Sequence, residues 1–213
     1  MKKLHIQLKP DQKIFFTSDL HLGHKNVISF CKRPFEDVKI MNKTILDNIN
    51  ECVGEDDYLF ILGDVFWFND SHAIKRFFNN VVCKQIYIVP GNHDDFESYH
   101  RLEKGRVQIL DDLNCLFLNT ETDSTIYELW LSHVPQATWP HRENKRCYHF
   151  FGHIHSGERR DKNAMDQNLS LHPNQFDVGV DNWNYKPVEV VIDNGIFFRV
   201  SPLVLQNLKC VNI

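Results

Sequence analysis

A chain of 213 residues, 42% hydrophobic and 12% aromatic, can bury one sizeable core, and a single domain over 1–213 is the expectation. Its net charge of -4 and pI near 6.3 exclude an overall basic field, so strong nucleic-acid binding is not expected and an anionic ligand would need a local source of positive charge. The six cysteines form no CxxC pair or dense framework, and no segment reaches the roughly 18 apolar residues of a membrane span, which points to a reducing, cytoplasmic setting without membrane contact.

Apolar runs recur along the chain, and each stops abruptly at polar residues. KIFFTSDLH ends on Asp19 and His21, DYLFILGD on Asp64, and KQIYIVPGNHD on Asn92 and His93. TIYELWLSH ends on His133, and CYHFFGHIH on His153 and His155. Five strand-like segments therefore deliver polar residues at their carboxyl ends. Between the first two, EDVKIMNKTILDNINECV sets Met41, Ile45, Ile49 and Val53 at four-residue spacing, one helical stripe. DSHAIKRFFNN predicts a second helix, capped by Asp70 or Ser71, with Ile74, Phe77 and Phe78 facing inward. Strand and helix alternate through Val89, and strands dominate afterwards. VEVVIDNGIFFRV predicts a hairpin turning on the two residues Asn194 and Gly195, and ERRDKNAMDQNLSLHPNQ predicts a long loop. The fold class expected is α/β, with two packed, mixed sheets.

In open α/β sheets, ligands gather outside the carboxyl ends of the strands. That rule draws Asp19, His21, Asp64, Asn92, His93, His133, His153 and His155 towards one place. Singly, each has an ordinary alternative: Asp19 can cap a turn, and Asp64 after Gly63 and Asn92 after Gly91 suit turns. The His153–His155 pair is weak alone, because 12 histidines in 213 residues give roughly 0.7 HxH pairs by chance. The ordered set DxH, GD, GNHD, strand-end His and GHxH, each after an apolar strand, is not a product of composition. Mixed carboxylate and imidazole donors suit Mn, Fe or Zn better than Ca or Mg.

The motifs SDLH, LGD, PGNHD, LSH and FGHIH, from Ser18 to His155, resemble those of the calcineurin-like metallophosphoesterases. FTSDLHLGHKNVISFCKRPF and VGVDNWNYKP resemble a small bacterial and phage branch of predicted phosphoesterases. The resemblance implies a metallophosphoesterase-type sandwich of two mixed β-sheets flanked by helices, with two divalent transition-metal ions at one edge, Mn first and Fe, Zn, Ni or Co as alternatives. It implies Asp19, His21, Asp64 and His155 on one ion, and Asp64 again with Asn92, His133 and His153 on the other. It further implies hydrolysis of a small phosphomonoester or phosphodiester, nucleotide-like ones included, by in-line attack of a hydroxide shared by the ions. His93 would protonate the leaving oxygen, with Asp94 either orienting that ring or shaping the turn.

His24 and Arg33 are candidate substrate contacts, the arginine through its planar fork; each also reads as a loop residue with no such role. Trp183 and Tyr185 offer stacking surfaces for a base, or, more simply, close a core edge. The expected partner is a small phosphate ester. A nuclease of the same superfamily would be expected to show a basic track, which the sequence lacks. A catalytically idle, metal-binding interaction scaffold would be expected to show broken ligands, whereas every motif position here holds a competent residue.

Overall fold

Every residue of the second strand, Ile14–Thr17, is buried, and so is every residue of Cys147–Phe151. Strands buried on both faces need a layer on each side. The computed structural model, which describes residues 1–68, 70–95, 99, 102, 105–155, 171–193 and 195–199, supplies those layers.

One sheet has six strands in the order β11-β10-β2-β3-β4-β5. Its members are β2 (Ile14–Thr17), β3 (Tyr58–Leu62), β4 (Gln85–Val89), β5 (Val107–Ile109), β10 (Val188–Ile192) and β11 (Ile196–Arg199). The pairs from β2 to β5 are parallel, whereas β10 is antiparallel to both of its neighbours. The other sheet has five strands in the order β1-β6-β7-β8-β9. It comprises β1 (Lys2–Leu8), β6 (Leu113–Thr120), β7 (Tyr127–Ser132), β8 (Cys147–Phe151) and β9 (Gln175–Asp177). Only the β6–β7 pair is antiparallel. The two mixed sheets expected from the sequence are therefore present.

Alternation along the central strands sorts the apolar residues into two cores, because successive side chains leave a strand on opposite faces. Phe16, Phe60, Leu62 and Val89 meet Leu116, Leu118, Leu129, Leu131 and Phe150 between the sheets. Phe15, Leu59, Ile61, Ile86 and Ile88 meet α1 (Lys25–Phe30), α2 (Val38–Cys52) and α3 (Ser71–Asn80). Met41, Ile45 and Ile49 form the buried stripe of α2, and Asp37 caps that helix by accepting from the N–H groups of Lys39 and Ile40. Asp70 caps α3 in the same way. Phe77 is only partly buried against this core, with Ile74 and Phe78 carrying the inward face.

Among the described residues these three helices all pack on the six-stranded sheet, flanking the sandwich there. Parallel β2, β3 and β4 need crossovers, and α2 and α3 supply them, whereas antiparallel β6 and β7 need only a short connection. On the outer face of the five-stranded sheet, Trp139 from the loop after β7 packs on Cys115, Trp130 and Cys147. The β10–β11 hairpin exists: Ile192 pairs with Ile196 and the Asp193 N–H donates to the Gly195 carbonyl at 3.1 Å. Asn194, one of the two expected turn residues, lies outside the described residues. Most of the long polar segment, 156–170, also lies outside them. Among the described residues no helix is long and apolar enough to cross a membrane.

Candidate metal centre

Parallel register brings the ends of β2, β3 and β4 level, since Thr17 pairs with Ile61 and Leu62 with Val89. Just past those ends the backbone turns sharply. Asp19, His21 and Asp64 have φ of 58°, 50° and 54°, and His153 and His155, after β8, have 72° and 45°. Five of the seven expected ligands thus occupy the left-handed region, which side-chain-bearing residues rarely adopt and which marks functional turns.

Hydrogen bonds between the turns hold this conformation. The Asp19 N–H donates to the Gly63 carbonyl at 3.0 Å, the His21 N–H to the Asp64 carbonyl at 2.9 Å, and the His153 N–H to the Asp19 carboxylate at 2.9 Å. Space matters as much: a Cβ on Gly91 would lie 2.2 Å from Asp64 Oδ1, and one on Gly63 2.5 Å from His133 Nδ1. Asp94 shapes the same turns. Its carboxylate accepts from the N–H groups of Asp64 (2.8 Å), Val65 (2.9 Å) and Gly91 (2.9 Å) and from the Tyr99 hydroxyl (2.7 Å). Of its two expected roles, the turn is the one its contacts support.

Of three groups among the described residues whose ligand atoms lie within 4.8 Å of one another, two meet here, Asp19, His21 and His155, and Asp19, Asp64 and His133; the third, Cys31, His155 and Asp181, shares His155 with the first. In the first, the Nε2 atoms of His21 and His155 face each other at 3.2 Å, and His155 Nε2 lies 3.7 Å from Asp19 Oδ1. In the second, His133 Nε2 lies 3.4 Å from Asp64 Oδ2 and 3.1 Å from Asn92 Oδ1. The same Asp64 oxygen is 3.5 Å from His21 Nε2, so it faces both clusters. His153 reaches the second cluster with its ring 5.2 Å from that of His133, and His93 lies 5.7 Å from His21. Asp19, His21, Asp64 and His133 are buried, while Asn92, His93 and His153 are exposed. All eight candidates lie at one sheet edge.

The donor set fits a cation. His133 Nδ1 lies 2.7 Å from the Leu62 carbonyl and His155 Nδ1 lies 2.7 Å from Asp181 Oδ2, and both partners only accept. Each Nδ1 therefore carries the proton, which leaves the neutral Nε2 lone pairs facing carboxylate oxygens. Without a metal, protons fill the gap. Burial opposes charge on His133, but the Asp64 hydrogen bond and the charges of Asp19 and Asp64 outweigh it and raise it to about 9. Burial likewise opposes charge on His155, yet Asp19 and Asp181 raise it to about 11. Burial and the positive His155 push His21 well below the usual imidazole range.

Arg33 is not a phosphate contact in this geometry. It is 4% exposed, and its five N–H groups are all engaged. Nε and Nη2 donate to the two oxygens of Asp181 at 2.9 and 3.0 Å, Nη2 also to the Asp19 carbonyl at 2.7 Å, and Nη1 to the Leu20 carbonyl at 3.0 Å and Met41 Sδ at 3.5 Å. It locks Asp181, which in turn orients His155. Sequence reasoning does not single out Asp181, whose signal is its place in the VGVDNWNYKP motif. His24 is buried at the rim, its ring stacked on Trp67 and 5.4 Å from that of His21. Tyr185 packs on Phe35, and Trp183 donates to the Asp177 carbonyl at 3.0 Å while its ring faces Phe198. Both serve the core edge.

A model of the calcineurin-like phosphoesterase family matches residues 12–198. The uncharacterized protein MJ1445 of Methanocaldococcus jannaschii is 29% identical over 181 residues, covering 84% of this chain and 88% of that protein. The gene 66 protein of Mycobacterium phage L5 is 24% identical over 202 residues, covering 79% of this chain and 86% of that one. The crystal structure of AQ665 from Aquifex aeolicus, a protein of unknown function, shares the fold with a TM-score of 0.57 at 22% identity, over 84% of this chain and 96% of that one.

Folded values of about 9 and 11 mean that His133 and His155 each hold a proton at pH 7 that a divalent cation must displace. Manganese titrated calorimetrically into chelator-stripped protein, in two buffers of different ionisation enthalpy, should release protons, with apparent affinity rising towards pH 9. Binding without proton exchange would contradict this assignment. Both values lie above the ordinary 6.5, so the stripped protein has this stabilisation in full below about pH 6.5 and loses it as pH climbs through 9 and then 11. Asp181→Asn should weaken manganese binding about 10- to 100-fold in the same calorimeter, and an unchanged affinity would remove Asp181 from the assembly.

Proposed function

Because the chain belongs to the calcineurin-like phosphoesterase family, we propose that it hydrolyses a small phosphomonoester or phosphodiester at this sheet edge. In this proposal Asp19, His21, Asp64 and His155 hold one divalent ion, and Asp64, Asn92, His133 and His153 hold the other. The observation that carries it is the single Asp64 oxygen set 3.5 Å from His21 Nε2 and 3.4 Å from His133 Nε2, as a bridging ligand requires. Nitrogen-rich donors favour Mn, with Fe, Zn, Co or Ni as alternatives, over Mg or Ca. Bound there, the ions supply Lewis acidity, which eases deprotonation of water and neutralises charge on the phosphoryl oxygens.

The chain's own residues supply the rest. Buried Asp19 and Asp64 keep water from competing for the donors. Arg33 and Asp181 fix the His155 ring, so its Nε2 needs no reorganisation to bind. The His93 N–H donates to Asp64 Oδ1 at 3.0 Å, which ties that residue to the shared carboxylate while its side chain stays open to solvent. It is therefore suited to hand a proton to the leaving oxygen. The unpaired thiols of Cys31, Cys52, Cys83, Cys115 and Cys147 fit a reducing cytoplasm.

Turnover of p-nitrophenyl phosphate, its bis-ester and 2′,3′- and 3′,5′-cyclic nucleotides, with manganese and with chelator, tests the proposal. Manganese-dependent cleavage of at least one ester is expected. No cleavage by fully loaded protein would favour an idle metal-binding scaffold. His93→Ala should keep its metal content and lose about 10²- to 10⁴-fold in turnover; wild-type turnover would refute the proton-donor role.

A further inference from the structure

Four apolar residues follow the Asp64 turn, and three of them go inward. Val65 and Phe66 are buried, and Phe68 packs against the helix-side core. Trp67 is turned outward, 45% exposed. It is nonetheless fixed. Its backbone N–H donates to the Leu22 carbonyl at 2.9 Å, beside the bridge pairing Leu22 with Phe66. One face of the indole lies on His24, with ring centroids 3.7 Å apart and planes within 7°. His24 is itself held, 8% exposed at the N-cap of α1, its N–H on the His21 carbonyl at 3.0 Å.

An exposed, rigidly braced indole does little for the core, but it stands beside the chemistry. The rings of Trp67, His93 and His21 form a triangle with centroids 4.6, 5.7 and 6.2 Å apart. Phe30, 68% exposed, stands on the same rim, 6.2 Å from His24. A leaving oxygen next to His93 puts the departing alcohol beside Trp67. Trp183 and Tyr185 cannot take that place, since both are packed.

We propose that Trp67, braced by His24, is a stacking platform for a planar aromatic ring on the leaving side of the ester, whether a nucleobase or a simple aryl group. This rests on the phosphoesterase reading above and narrows its substrate class. Stacking is tolerant of ring identity, because every base offers a π-face, so the platform selects for a ring and not for one base. A pre-fixed indole loses little freedom when the ring settles on it.

The test is calorimetric titration of manganese-loaded protein with adenosine 5′-monophosphate, phenyl phosphate and ribose 5-phosphate, with indole fluorescence read in parallel. Adenosine monophosphate should bind about tenfold or more tighter than ribose 5-phosphate and quench the indole, and Trp67→Leu should remove most of that preference. Phenyl phosphate matching the nucleotide supports an aryl source, and lagging behind it supports a nucleobase. Trp67→Phe, which keeps a ring, should retain part of the preference; losing as much as Trp67→Leu would overturn stacking in favour of mere support for His24. Equal binding of the ringed and ringless phosphates would overturn the platform while leaving the turnover panel to judge hydrolysis. Trp67-dependent quenching by a protein that cleaves nothing would uphold the platform and reject the hydrolase.

Discussion

A buried carboxylate oxygen that faces an imidazole nitrogen on either side, and whose charge a bound proton or cation must balance, is a demand that folding must meet. Asp64 Oδ2 is in that position, 3.4 Å from His133 and 3.5 Å from His21. Much of the local structure serves to hold it there. Gly91 leaves room for the Asp64 carboxylate and Gly63 for the His133 ring, and Asp94 ties three backbone N–H groups of the surrounding turns. The five left-handed ligand positions each cost about 1 to 3 kcal/mol, a strain that survives only where cross-turn bonds and two dense cores over-determine the backbone. Ions that bind the folded chain alone would return part of that stability by mass action.

The acidic balance of the chain is compatible with an anionic substrate because the relevant field is local. Buried Arg33 is the clearest case. It carries a positive charge next to the first cluster, yet that charge is directed at Asp181 and two carbonyls and not at solvent. A buried ion pair of this kind contributes geometry more than stability. It joins the β2 turn, the start of the helical layer and the turn after β9, and through Asp181 it sets the ring of His155. In the proposed reading, attraction for a phosphate would then fall to ions held at the edge.

Legibility from sequence followed how local the cause was. The strand-end ligands were readable because β2, β3, β4, β7 and β8 each end in a short motif; parallel register levels the ends within each sheet, and packing of the two sheets brings the two sets together. The stripe Met41, Ile45, Ile49 was readable because helical period and burial coincide on α2. The pairing of Arg33 with Asp181 was not, since they are 148 residues apart and only the closed sandwich makes them neighbours. Trp67 was hidden inside an apolar run whose other members are core, so composition could not separate it from Phe66. Trp183 and Tyr185 misled in the opposite sense, being conspicuous among polar residues yet packed.

Electron paramagnetic resonance of protein loaded with two equivalents of manganese reads the shared carboxylate most directly. Ions bridged through Asp64 would sit roughly 3.5 to 4 Å apart and give the spectrum of an exchange-coupled pair. The spectrum of isolated manganese, or saturation at a single equivalent, would contradict the account.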